Sequence, residues 1–158
     1  MRVRVTRADL RSELLAAAHT ALEAARAAHA DAVAGATHAE ARAENDKDTR
    51  GLEQSYLARG HALRVEELEA ALVQIARLPG ERPGPRVGLG AVVTVDDDGT
   101  ESRYFVAPWG GGVILAGGVP AVTPQAPIGR ALVGRAVDDE VELKRPGGVR
   151  EVTIVSID

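Results

Sequence analysis

The stretch of this sequence with the most evident chemistry is an acidic segment at residues 37–51, THAEARAENDKDTRG. Four carboxylates and one carboxamide fall within it, at Glu40, Glu44, Asn45, Asp46 and Asp48. Carboxylates that crowd into one short segment could form a functional site. A solvated, well-capped turn is the plainer interpretation of the same residues, and the residue types alone leave both open.

Two long alanine-rich stretches enclose the acidic segment and must position it. The first begins at Thr6, a predicted helix N-cap, with Asp9 three residues later in an acidic first turn, and it has no proline or glycine before Gly35. Gly35 is the first helix-breaking signal. The second stretch runs from about Leu52 to Leu78, and its apolar residues recur at steps of three and four. The spacing predicts an antiparallel helical hairpin with residues 37–51 at its tip.

Composition excludes several classes of function. The 158 residues carry a net charge of −4, whereas proteins that wrap duplex nucleic acid usually have a basic excess. Aromatic residues make up 3% of the chain, too few for a base-stacking platform. The absence of cysteine excludes thiolate metal sites, and the four histidines lack helical metal-ligand spacing. We therefore expect no metal bound by the chain alone.

The same features set expectations about location. The first residues, MRVRVTRADLRSELL, lack the sustained apolar run of a signal peptide or a membrane span. We expect a cytoplasmic, monomeric protein that does not contact membranes.

The amino-acid composition of the chain changes at a linker, PGERPGPR, where prolines and glycines end the second helix. We predict a helical hairpin over 1–79, a linker over 80–86 and a sheet domain over 87–158. Alternating β-branched residues predict strands at 91–95, 102–107, 112–115, 140–144 and 151–157. A short helix, PIGRALVG, is predicted at 127–134, with proline in its first turn. The predicted fold class is α+β, with one short helix against a twisted antiparallel sheet in the second domain.

The sheet domain carries a motif of about thirty residues, APIGRALVGRAVDDEVELKRPGGVREVTIVSI. It resembles the C-terminal pattern of the bacterial Gre family of transcript cleavage factors. The residues that match this pattern are Pro127, Ile128, Arg130, Leu132, Gly134, Asp139, Val141, Pro146, Gly147 and Gly148. Ala126, Arg135 and Arg145 depart from it. The order of helical hairpin, linker and small sheet domain also resembles the family.

The resemblance implies a specific activity. Gre factors dock an FKBP-like C-terminal domain beside the secondary channel of RNA polymerase, in a region that matches Pro127 and Ile128 here. Their hairpin enters the channel, and acidic tip residues help to hold a Mg²⁺ ion shared with the polymerase. The polymerase then cleaves its own backtracked RNA. By this resemblance the chain is not itself an enzyme, and it meets nascent RNA and DNA only within the polymerase complex.

The tip also departs from the family pattern, which is Asp-x-x-Glu-Asn. Glu44 and Asn45 match its last two positions, but Ala41 occupies the position of the aspartate. Glu40, Asp46 and Asp48 are the candidates to replace that acid. A channel-binding regulator without cleavage activity is therefore an alternative function. A prolyl isomerase or chaperone is a further alternative, which the scarcity of aromatic residues disfavours.

Overall fold

The computed structural model describes residues 4–42, 50–80 and 84–158, with the backbone alone at 39–42 and 50. By internal contacts the chain divides into two compact units. One is Ala17–Val73, and the other joins Met1–Ala16 to Gln74–Asp158. The predicted α+β fold class, a long helical hairpin followed by a small sheet domain, is confirmed. None of the helices in the described ranges is long and apolar enough to cross a membrane.

The helical unit is built from α1, Arg7–Arg42, and α2, Arg50–Ala76. Its buried seam is composed of small and aliphatic side chains, namely Ala18, Leu22, Ala25, Leu68 and Ala71. Alanines on this seam allow the two helices to approach closely. An exposed ion pair, Arg26–Glu69 at 3.1 Å, joins them on the outside.

Gly35 does not end the first helix, although it is the first helix-breaking signal in the sequence. α1 continues through it to Arg42, and Thr37 donates its hydroxyl to the Val33 carbonyl at 2.9 Å as a mid-helix residue. A Cβ at position 35 would lie 2.9 Å from the Gln54 side-chain oxygen of α2. That oxygen is the far end of a flexible side chain, so this contact alone does not require glycine at position 35.

The ends of both helices belong to the sheet unit. Thr6 caps α1 as predicted, because its hydroxyl accepts a hydrogen bond from the Asp9 backbone N–H at 3.2 Å. The Thr6 hydroxyl and backbone N–H in turn donate to the Asp9 carboxylate, at 2.7 and 2.8 Å. These hydrogen bonds lower the pKa of Asp9. Arg7 and Arg11 donate to the carbonyls of Pro79 and Ala76 at 3.0 and 2.6 Å. The base of the hairpin is thus fastened to the start of the linker.

The sheet has six strands: β1 Val92–Asp97, β2 Thr100–Val106, β3 Ile114–Leu115, β4 Val119–Val122, β5 Glu140–Arg145 and β6 Gly148–Ile157. Their order is β3-β4-β2-β1-β6-β5. The short helix α3, Pro127–Leu132, follows β4. One core lies beneath it, formed mainly by valines with Tyr104, Leu132, Leu143 and Ile154.

Two features of the sheet differ from the prediction. β4 was absent from it, and β4 pairs with β2 in parallel, so the sheet is not wholly antiparallel. In the sequence, Asp98-Gly99 and Pro146-Gly147-Gly148 are signals that predict hairpin turns, and both turns are confirmed. Asp98 and Gly99 have positive φ values of 49° and 90°, and Arg145 pairs with Gly148.

Candidate functional site

The predicted tip residues lie at the junction of α1 and α2. Glu40 belongs to the last turn of α1, where only the backbone is described. Glu44, Asn45, Asp46 and Asp48 fall in 43–49 and lie outside the described residues. Their roles stay a prediction from the sequence.

The second predicted site, at Pro127 and Ile128, is fully described. Pro127 occupies the first turn of α3, where its missing N–H leaves no donor unpaired. Ala126, just before it, is extended, and its N–H donates to the Thr123 carbonyl at 3.0 Å. Pro127 is exposed and Ile128 is half-buried against the core. This geometry leaves apolar surface accessible at the start of the helix.

Gly129 is a third contributor to the site, which the sequence analysis did not single out. It is buried, and a Cβ at this position would overlap the Thr123 carbonyl. Only glycine lets α3 approach the preceding loop this closely. A signal was available in the sequence, because Gly129 falls inside the short predicted helix, where glycine is otherwise unfavourable.

Pro127 and Ile128 border an open pocket of about 290 Å³, which we name the α3 pocket. The buried Tyr104 and Val122 contribute to its lining, which is largely apolar, and the exposed Lys144 provides the charged group on its wall. An aliphatic side chain of a partner would be desolvated in such a pocket. The pocket therefore suits protein binding better than catalysis.

A separate polar pocket of about 370 Å³ lies over β1, β5 and β6, lined in part by Asp96, Asp97, Glu140 and Glu151. A hydrogen bond with Glu140 raises the pKa of Glu151, and repulsion from the same carboxylate adds to the effect. Among the described residues no group of three or more His, Asp or Glu side chains is placed to hold a metal ion.

Comparison with known proteins gives consistent matches. The family model for the C-terminal part of the transcription elongation factors GreA and GreB matches residues 82–158. Transcription elongation factor GreA of Methylobacterium nodulans is 34% identical over 128 residues, 75% of this chain and 77% of that protein. GreA of Rhodospirillum rubrum is 35% identical over 101 residues, which span 58% of this chain and only 60% of that relative.

Among solved structures, the crystal structure of the GreA factor homolog 1 (Gfh1) protein of Thermus thermophilus is similar at 23% identity. The match covers 91% of this chain and 94% of that one, with a TM-score of 0.42. Because that TM-score is low, the family assignment rests on the proteins that are similar in sequence.

Proposed function

Because this chain belongs to the GreA/GreB family of transcription elongation factors, we propose that it binds RNA polymerase and stimulates cleavage of backtracked RNA by that enzyme. The observation that carries the proposal is the match to a GreA protein across three quarters of both chains. In this role the factor has no turnover of its own and supplies groups to the active site of another enzyme.

The length of the helices supports delivery of the tip into a channel. α2 has 27 residues and α1 has 36, so at 1.5 Å per residue they are about 40 Å and 54 Å long. Helices of that length can carry the residues between them into the secondary channel of the polymerase.

The donor set of the tip fits the ion that this chemistry uses. Glu44 and Asn45 offer a carboxylate and a carboxamide oxygen, and Glu40, Asp46 and Asp48 offer further carboxylates. Hard oxygen ligands of this kind suit a Mg²⁺ ion shared with the polymerase active site. Such an ion, when bound, lowers the pKa of a water that attacks the phosphodiester. In this proposal Glu44 and Asn45 would help to hold that ion and its water.

The α3 pocket is the proposed docking surface for the polymerase. An exposed proline and a half-buried isoleucine at the mouth of an apolar pocket provide area that can be desolvated on binding. The tip and the pocket lie on different elements of the chain. Docking and stimulation are therefore separable functions.

The test is RNA cleavage in backtracked elongation complexes of the cognate polymerase. We expect the factor to accelerate release of short 3′ fragments. We expect Glu44→Ala to abolish the acceleration while polymerase affinity stays within about twofold of wild type, because most single contacts of an interface contribute little to affinity. Glu66→Ala, which removes an exposed acid elsewhere on α2, is the matched control. Equal loss of binding and stimulation in Glu44→Ala would contradict the assignment.

A second candidate function follows from Ala41, which occupies the position of the family's tip aspartate. A factor that lacks this acid would occupy the channel without supporting cleavage. Unchanged or slower cleavage, with polymerase binding measured separately, would favour this alternative. Restoring the acid with Ala41→Asp would then be expected to accelerate cleavage.

A further inference from the structure

Two side chains that line the α3 pocket carry polar groups, and the proposed function gives a role to neither of them. They are Tyr104, with its hydroxyl, and Lys144, with its ammonium. The other residues of the lining are glycine, alanine, proline, valine and isoleucine, and none of the lining residues carries a carboxylate. A few polar groups at a mostly apolar wall are what fix the orientation of a bound partner.

Tyr104 is a buried tyrosine whose hydroxyl has no hydrogen-bond partner within the described part of the chain. The residue is 7% exposed, and its ring belongs to the core cluster of Val106 and Val122 against which Ile128 packs. The hydroxyl is not fully enclosed, so a partner can reach it. Polar groups of buried residues are normally hydrogen-bonded, because an unpaired one costs free energy. This donor therefore points to an acceptor that a bound partner supplies.

Lys144 is an exposed cation at the same pocket. Of the ion pairs between described residues, none includes it. Its cross-strand partner is Val149, and Glu142, the nearest acid along its own strand, is instead the cross-strand partner of Glu151. A positive charge beside an apolar wall favours an anionic group on the partner, because the potentials of two binding surfaces are complementary.

One chemical group satisfies both side chains. The phenol and the ammonium are hydrogen-bond donors, and a carboxylate accepts several hydrogen bonds through its two oxygens. The apolar wall around them desolvates an aliphatic side chain rather than a second charge. A protein segment in which an acidic residue lies beside an aliphatic one has both features.

We propose that the α3 pocket binds such a segment of RNA polymerase, and that Tyr104 and Lys144 determine its specificity. The carboxylate of the segment accepts hydrogen bonds from the Tyr104 hydroxyl and the Lys144 ammonium. Its aliphatic side chain packs against Ile128. This inference rests on the proposed function, because that function makes the polymerase the partner of this pocket.

Polymerase affinity at several salt concentrations tests the ion pair. We expect Lys144→Gln to weaken binding by about threefold to tenfold and to make it less dependent on salt, because one contact between charges is lost. Lys144→Arg keeps the charge and is expected to keep the salt dependence of wild type. Arg150→Gln is the matched control, since it removes an exposed cation of the same hairpin that does not line the pocket. Equal salt dependence of Lys144→Gln and wild type would overturn the ion pair.

Tyr104→Phe tests the hydroxyl alone, because phenylalanine keeps the ring in the core. We expect it to weaken polymerase binding by about threefold to tenfold, as for one lost hydrogen bond, with the salt dependence unchanged. Thermal stability is expected not to fall, since the hydroxyl pairs with no described residue. Tyr56→Phe, at an exposed tyrosine of α2, is the control. Wild-type affinity in Tyr104→Phe, or a marked loss of its thermal stability, would overturn this role.

The same measurements separate this inference from the proposed function. A wild-type factor that does not bind the polymerase would overturn both. If wild type binds and Ile128→Ser weakens binding, while Lys144→Gln and Tyr104→Phe bind as wild type does, this inference alone is overturned. The polymerase would then contact the pocket through apolar groups only.

Discussion

At the scale of single residues, Gly129 sets the geometry of the proposed docking surface. The Thr123 carbonyl occupies the space in which a side chain would begin, and Ala126 donates to the same carbonyl. Gly129→Ala forces α3 away from that loop, so we expect unfolding free energy to fall by about 1–3 kcal/mol, typical of overpacking. Urea denaturation measures this loss. Gly147→Ala is the control, because a Cβ there has open space. Equal stability of the two variants would contradict the constraint at Gly129.

The same scale shows where sequence reasoning fell short. Pro127 and Ile128 were identified from the motif, and the structure places both at one pocket. Gly129 was not, because its constraint comes from the carbonyl of Thr123, a contact that exists only in the folded loop. Residue types revealed the apolar surface but not the steric requirement that shapes it.

At the scale of elements, the hairpin of β5 and β6 carries a repulsion that depends on pH. Glu142 and Glu151 are cross-strand partners, and Glu140 shares a hydrogen bond with Glu151. Like charges in facing positions destabilise a sheet. Because folding raises the pKa of Glu151 above its unfolded value, its proton is held more tightly in the folded state. Stability is therefore lost as pH rises through the folded pKa.

We accordingly expect Glu151→Gln to raise the melting temperature at pH 7. The gain is expected to shrink as pH falls below the ordinary glutamate pKa of about 4.3, where wild type also carries the proton in both states. Thermal denaturation from pH 3 to 8 measures the difference. Glu66→Gln on α2, an exposed acid outside this hairpin, is the control. A gain in Glu151→Gln that is constant with pH would rule out the carboxylate repulsion as its cause.

Secondary-structure elements were predictable from the sequence where residues close together in the chain determine them. The α1 cap, the two hairpin turns and α3 follow from neighbouring residues. The continuation of α1 through Gly35 is not determined by its neighbouring residues, and β4 depends on parallel pairing with β2. The short β4 run contains Pro120, which lowers its apparent strand propensity. In β4, pairing with a strand distant in sequence outweighs the local preference.

At the scale of the whole molecule, the proposed function predicts that a docking variant and a tip variant differ in how stimulated cleavage responds to factor concentration. We expect Ile128→Ser to weaken polymerase binding by about tenfold or more, because it removes an apolar anchor at the α3 pocket. Stimulated cleavage should then return when the factor concentration is raised. Glu44→Ala should not be rescued by concentration, because its defect lies in the reaction after binding.

The matched control is Val133→Ser, which removes an aliphatic side chain just after α3 that is 39% exposed and does not line the pocket. Thermal denaturation of both variants separates lost binding from lost folding, since Ile128 also packs against the core. Titration of each variant against stalled elongation complexes gives the apparent affinity and the maximal cleavage rate. If Ile128→Ser lowered only the maximal rate, or if Val133→Ser weakened binding equally, the α3 pocket would not be the polymerase contact. The sheet unit would then bind a partner other than the polymerase, while the hairpin would still bind the polymerase.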